Sequence, residues 1–343
     1  MDAEKVGKAI AYLRKKVGYT QKELADRLGV SDKAVSKWER GLGLPDTSLI
    51  GKLAILLDSD SDSLLAGDIV HHNSGWTGLL ILGENKYGIN AGTSIYDKPC
   101  VYFLLGYFLL LGIRKIVIIC SLDNEDIIRK EFGDGECLGI KLSYHKGLPK
   151  WEYADKESGV MVVSGMSFLY GVDQTRFFQK AMLHKNRITV LSLPRKKVDS
   201  PTRIYYDSDK RVIRSEEGDK LHTQYDYYQI PIMFCPSGIV ADMMLDKEKA
   251  MLSLPQEVME NDVYTVILDR GFVEISLDTW NGVLDAATFV KTVQKACGMQ
   301  VYCIEEIAWR RGMISYSEFV ELGRKKSSTP YGKYILEIAD NES

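Results

Sequence analysis

TQKELADRLGVSDKAVSKWERGLGLPD, residues 20–46, decides the amino-terminal fold. Thr20 followed three residues later by Glu23 is a capping box, so a helix begins at Gln21, and the spacing of Leu24, Ala25 and Leu28 carries it to Leu28. Gly29 supplies the turn and Ser31 caps a second helix that ends near Glu39. Ala25, Val30, Val35 and Trp38 have the spacing of a packed face, which assigns them to the core. Asp32, Lys33, Ser36 and Lys37 are left on the outer face. Upstream, Val6, Ile10 and Leu13 recur at three and four, and the helical pattern holds from Lys5 to Leu65. This part of the chain reads as all-α.

Residues 1–45 carry ten Lys/Arg against six Asp/Glu, a net of +4. The whole chain has 44 against 47, so the remainder has 34 against 41, a net of −7. That balance excludes a polycation built throughout for nucleic acid and confines the positive charge to one end. A length of 343 residues exceeds what one core usually serves, which implies about two domains. An apolar share of 45% with 27% charged residues excludes wholesale disorder. The six cysteines form no CxxC pair and the first residues contain no apolar signal core, so a reduced, cytoplasmic protein is expected. The five histidines fall at no metal-ligand spacing, and neither a metal nor a cofactor is expected. Cys100–Ile113 is the most apolar stretch, but Arg114 and Lys115 end it well short of the roughly 20 residues a membrane span needs. It reads as a buried helix, with no membrane partner.

Residues 67–75, including the polar HHNSG, read as a linker between a domain at 1–66 and another at 76–343. Beyond it, strands GLLIL (78–82), KIVIIC (115–120), IKLSYH (140–145), GVMVVSG (159–165) and RITVLSL (187–193) alternate with helices. Those helices are expected from Pro99, near Glu125–Phe132, and over Asp173–Lys185. Strands this continuous in Ile, Leu and Val are covered on both faces, which predicts an α/β three-layer domain with a Rossmann-like mixed sheet.

The 20–46 stretch resembles the Cro/repressor (XRE-like) helix-turn-helix family, over roughly residues 4–66. The resemblance implies that the second helix enters the major groove of an operator in double-stranded DNA, with Asp32, Lys33, Ser36 and Lys37 facing it and Gln21 at the start of the first helix. The bland reading makes Lys33 and Lys37 part of a solvated face.

Downstream, YDKPCVYFLLGYFLLLGIRKIVIICS (96–121), FGDGECLGIKLSYH (132–145), SGMSFLYG (164–171), LDAATFVKTVQKACGMQVYCIEEIAWRRGMIS (284–315) and YGKYIL (331–336) together resemble bacterial glucose-1-phosphate thymidylyltransferases, over about residues 77–338. That family holds a triphosphate in a GGxGTRL loop, stabilises charge with a Lys, and holds Mg²⁺ with the Asp of LGDN. Here the loop is shortened and carries Glu84, and Asn90 stands where the Lys would align. LGDN reads Ser164–Gly165–Met166–Ser167, and a thioether is no ligand for magnesium. EEKP reads Glu216–Glu217–Gly218–Asp219 with Lys220 close behind, and GLAQA reads Gly147–Leu148–Pro149–Lys150. Asp278 in LDTW is a vestigial match to the other metal Asp. The resemblance therefore implies that nucleotidyl transfer has been lost and that the domain is not an enzyme.

A second nucleotide-sugar site of the family, away from the chemistry, matches better. Its counterparts are Tyr170, Gly171, Val301, Glu306, Ile307 and Arg310, with Gln300 where a Lys is common. An Arg can pair a diphosphate bidentately, a Glu can accept from a pyrimidine imide or ribose hydroxyl, and a Tyr offers a stacking face. The expectation is a regulator, homodimeric or homotetrameric, whose effector is a deoxythymidine-diphosphate sugar. An active sugar-1-phosphate nucleotidyltransferase fused to a DNA-binding domain, and a regulator whose second domain is only an assembly scaffold, are the alternatives.

Overall fold

The computed structural model describes residues 2–17, 19–57, 59, 64–65, 75–83, 87–148, 158–183, 186–195, 202–217, 226–240, 244–246, 251–253 and 263–341. The expected linker lies almost wholly outside them. The chain opens with helices α1 (Ala3–Val17), α2 (Gln21–Leu28), α3 (Asp32–Glu39) and α4 (Thr47–Leu56). Val6, Ile10, Leu13, Leu24, Ala25, Leu28, Val35, Trp38, Leu53 and Leu57 form their common core, with Val30 packed against it from a partly buried position.

The second part begins with β1 (Trp76–Ile81) and the short hairpin β2 (Ser94–Ile95) and β3 (Lys98–Pro99). Then come α5 (Cys100–Leu110), β4 (Lys115–Ile119), α6 (Leu122–Phe132), β5 (Lys141–His145), β6 (Gly159–Ser164), β7 (Ser167–Tyr170) and α7 (Gln174–Met182). Strands β8 (Ile188–Arg195), β9 (Thr202–Tyr206), β10 (Val212–Glu217) and β11 (Asp226–Pro236) follow, then α8 (Ser237–Val240). The chain continues through β12 (Met244–Asp246), β13 (Met251–Ser253), β14 (Val263–Ile267) and β15 (Val273–Ser276), and ends in α9 (Trp280–Cys297), α10 (Ile304–Arg310), α11 (Tyr316–Lys325) and α12 (Pro330–Asn341).

The main sheet is mixed. β6, β1, β4 and β5 run parallel in that spatial order, β11 is antiparallel to both β6 and β8, and β14 is parallel to β8. Alternate residues serve two cores: Leu80, Met161 and Val163 face one, and Leu79, Ile81, Val160 and Val162 face the other. Period-two burial on both faces is why these strands read as unbroken apolar runs. Helix α5 is buried at every residue from Cys100 to Leu109. Its eleven residues span only about 16 Å, half a bilayer's hydrocarbon. Among the described residues no helix is long and apolar enough to cross a membrane.

The helix expected over Asp173–Lys185 is shorter, because Asp173 adopts a left-handed φ of 57° ahead of Gln174 and the last helical residue is Met182. Residues 184 and 185 lie outside the described residues.

Candidate functional site

Helix α2 starts as its capping box requires. The Thr20 hydroxyl accepts from the Glu23 amide at 3.1 Å, and the Glu23 carboxylate accepts from the Thr20 amide at 2.7 Å. Gly29, at φ 74°, turns the chain, and the Ser31 hydroxyl caps α3 by accepting from the Ala34 amide at 3.2 Å. With Val35 and Trp38 buried, α3 presents Asp32, Lys33 and Lys37 to solvent and Ser36 at a half-buried position. Lys37 leans along the turn at Gly43, where an added Cβ would stand 3.3 Å from its Cε.

Gln21 does more than face outward. Its amide donates to Glu39 at 2.6 Å, and Glu39 also receives two bonds from Arg14, at 2.5 and 3.1 Å. Arg14 donates in addition to the Tyr19 carbonyl at 2.6 Å, so one buried ion pair fastens the end of α1 to both helices of the turn. Gly7 completes the junction, since a Cβ there would lie 2.2 Å from the Trp38 carbonyl. Neither contact has a local signal in the sequence.

In the second part, Tyr170, Gly171, Val301, Glu306, Ile307 and Arg310 all line a single cleft of about 840 Å³. Tyr170 ends β7 and sits edge-on to Phe289 at 5.6 Å. Gly171 is fixed by close approach: a Cβ would meet the Phe272 ring at 2.4 Å. Val301 donates its amide to the buried Gln294 side chain at 3.0 Å. The α10 carboxylate Glu306 accepts from Arg310 at 2.8 Å and from the Tyr334 hydroxyl at 2.9 Å, which orients the exposed guanidinium along the cleft wall. Gln300 also lines the cleft, and its carbonyl accepts from the buried Lys98 ammonium at 3.1 Å. Burial lowers the Lys98 pKa despite the neighbouring Asp97.

Asp173, Gln174, Arg176 and Arg311 are among the cleft residues absent from the site expected from the sequence. Gln174 opens α7 and accepts from the Tyr302 hydroxyl at 2.6 Å, while its buried amide nitrogen has no partner among the described residues. The helix start directly after Tyr170–Gly171 and the doubled Arg310–Arg311 were the signals available. Three guanidiniums beside a helix amino terminus make this wall suited to an anion.

Around the expected chemistry, the Met166 carbonyl accepts from the Leu277 amide at 2.9 Å, which sets LDTW beside the 164–167 turn. Asp278 is exposed and accepts from Ser276 at 2.7 Å, and Glu274 accepts from Ser167 at 2.6 Å. Asn90 closes a tight turn by accepting from the Gly92 amide at 2.9 Å. Glu84, Pro149, Lys150 and Gly218, Asp219 and Lys220 lie outside the described residues.

The helix-turn-helix family profile matches residues 10–64. A glucose-1-phosphate thymidylyltransferase of Neisseria meningitidis serogroup A is 28% identical over 276 residues, which is 75% of this chain and 96% of that protein. The enzyme of the same name from Mycolicibacterium smegmatis is 25% identical over 72% of this chain and 91% of its own length. The chain joins an XRE-like helix-turn-helix to a glucose-1-phosphate thymidylyltransferase-like domain. A crystal structure assigned as such a thymidylyltransferase from Bacillus anthracis, in complex with sucrose, shares the fold at a TM-score of 0.50 and 14% identity. It covers 62% of this chain and 94% of its own.

These relatives overturn the expectation that the thymidylyltransferase-like domain is not an enzyme. Proteins carrying an enzyme's name match it over nearly their whole length, so its likeness is to enzymes and gives no ground for calling it inactive. The expectation erred by treating each altered motif position as an uncompensated loss. In the fold, β15 carries Glu274 and Asp278 follows two residues after its end, so the missing carboxylate at 166 does not leave that turn without oxygen donors nearby. The amino-terminal unit, for its part, is a DNA-binding helix-turn-helix.

Proposed function

We propose that this chain is a ligand-responsive transcriptional regulator. Helix α3 reads an operator through Asp32, Lys33, Ser36 and Lys37, with Gln21 at the start of α2, and the thymidylyltransferase-like domain binds a deoxythymidine-diphosphate sugar. A homodimer or homotetramer would set two recognition helices on a two-fold axis, reading half-sites about 34–36 Å apart. The observation that carries the reading is the cleft: residues from two stretches more than a hundred positions apart, 170–171 and 301–310, line one concavity with a tyrosine, a glutamate and arginines in it. Its volume suits a nucleotide sugar, since small-ligand sites run from roughly 300 to 1,000 Å³. A panel of nucleotide sugars tested by thermal shift decides the matter. A ligand at 100 times its dissociation constant adds about 2.7 kcal/mol to the folded state, and Arg310→Ala should abolish the shift. No shift with any nucleotide sugar removes the sensing role.

The names of the curated relatives favour a second reading, transfer of a nucleotidyl group to a sugar 1-phosphate. Pyrophosphate release from deoxythymidine triphosphate with glucose 1-phosphate and Mg²⁺, abolished in Asp278→Ala, supports it; no release opposes it.

A further inference from the structure

We infer that the sheet edge at β14 holds a second, separate site for small ligands bearing a phosphate. A cavity of about 440 Å³ opens there, walled by Lys180 of α7, Arg187 ahead of β8, and Lys210 and Arg211 of the turn between β9 and β10. One carboxylate, Asp209, faces the same space. The nearby Asp207 is occupied within its own turn, accepting from the Asp209 and Arg211 amides at 2.9 and 3.0 Å. Four cations thus gather around one acid, and among the described residues none of the four is in an ion pair. Like charges brought together repel unless an anion sits among them.

The cluster is arranged rather than scattered. Tyr264 organises it: the Arg187 guanidinium lies 4.5 Å over the ring, and Arg211 donates to its hydroxyl at 2.9 Å. Both contacts aim the guanidiniums and neither cancels their charge. Thr189, which pairs in register with Tyr264, is fully buried in the same wall, and its hydroxyl has no partner among the described residues. A buried hydroxyl left without a partner is costly unless something docks against it. Lys210 holds a φ of +67°, a position in such a hairpin turn that favours glycine, so a long cation stands where the backbone would prefer none. Forked guanidinium donors, two ammonium groups and a hydroxyl are the donor set for phosphate oxygens. The volume fits inorganic phosphate, pyrophosphate or a small phosphomonoester.

The test is titration of the full chain with inorganic phosphate and with pyrophosphate at constant ionic strength, against sodium chloride, by calorimetry and thermal shift. Lys210→Gly and Arg187→Gln should each raise the phosphate dissociation constant about tenfold or more, the loss expected for one charge-assisted contact. Lys210→Gly also relieves the left-handed backbone, so its unliganded melting point should not fall, which separates binding from folding. Arg310→Ala, in the larger cleft, should leave the phosphate response intact. Wild-type behaviour indistinguishable from sodium chloride, or equal responses in the wild type and both variants, overturns the inference. So does a phosphate-silent protein whose affinity for random-sequence duplex falls in Lys210→Gly, since the cations would then serve the DNA backbone.

Discussion

Arg14→Met should open the DNA-reading unit while leaving the rest of the chain folded. The Arg14 and Glu39 side chains are 10% and 7% exposed, and the pair is bidentate. Removing one member of a buried pair costs about 3–5 kcal/mol, because the survivor keeps its desolvation penalty without compensation. Gln21 still donates to Glu39 at 2.6 Å, which places the loss at the lower end, about 3 kcal/mol. That amounts to roughly two powers of ten in the opening equilibrium. Hydrogen exchange on the full chain reads it directly: amides of α1 and α3 should exchange about 100-fold faster, while those of α5 and β1 keep their rates. Affinity for duplex DNA should fall in step. The double variant Arg14→Met with Glu39→Met should recover much of the protection, since no unpaired charge remains. Exchange faster by only about threefold, the size of an exposed pair, or a double variant no better than the single one, would refute the reasoning.

Lys37→Ala combined with Ser36→Ala should erase the preference for operator over scrambled duplex, each base-edge hydrogen bond being worth about 1–3 kcal/mol, with the melting point unchanged; anisotropy on the two duplexes measures it, and equal weakening on both would reassign these side chains to phosphates. Glu305→Gln should lower stability by about 1.5–3 kcal/mol, because the buried carboxylate accepts from the Lys326 ammonium at 2.9 Å and the Tyr331 hydroxyl at 2.5 Å, and denaturant unfolding reads the change. Glu131 gives an acid-side signature. Burial pushes its pKa up, but hydrogen bonding from Tyr102 and the Lys326 ammonium together hold it below its ordinary 4.5. A carboxyl depressed on folding stabilises the native state above its unfolded value, and that contribution disappears as pH falls below about 4.5 and through the folded value. Glu131→Gln should therefore flatten the acid limb of a stability-versus-pH curve, and an unchanged limb would show that Glu131 contributes nothing there.

The parts of the fold legible in the sequence are those whose causes are local. Thr20, Glu23, Gly29 and Ser31 act within four residues of themselves, and α2 and α3 begin where their chemistry places them. The strands were legible because burial on both faces leaves few polar positions, although their ends shift by a residue or two. What escaped depends on distance along the chain. Gly7 is required by the Trp38 carbonyl, Arg14 meets a glutamate 25 positions away, and Lys98 reaches Gln294 and Gln300 across 196 and 202 positions. The cleft was half visible: Tyr170 and the α10 residues carry a recognisable pattern, whereas Gln174 and Arg176 join them only because α7 starts at the cleft wall. The expectation of lost activity failed for the same reason. It weighed altered motif positions singly, when what stands beside them in space is set by register between distant strands such as β7 and β15.

The two roles open to the EEIAWRR helix, packing and ligand binding, fall on different faces of α10. Ile304, Glu305 and Ala308 point inward and are buried, with Glu305 held by Lys326, which caps the end of α11, and by Tyr331 of α12. Glu306, Ile307 and Arg310 line the cleft, and Arg310, 44% exposed on its side chain, leans on Glu306 one turn back along the helix. An exposed i,i+4 pair of that kind adds well under 1 kcal/mol to stability, and the guanidinium also lies 5.2 Å from the Trp309 ring. The buried face packs the helix into the core, and the outward face carries the cleft residues. Arg310→Ala and Glu305→Gln should consequently separate: the first loses nucleotide-sugar response at an unchanged melting point, and the second loses melting temperature while the ligand-induced increment survives. A melting point that falls equally in both would mean that the outward face is structural too, and the cleft would lose its best claim to a ligand.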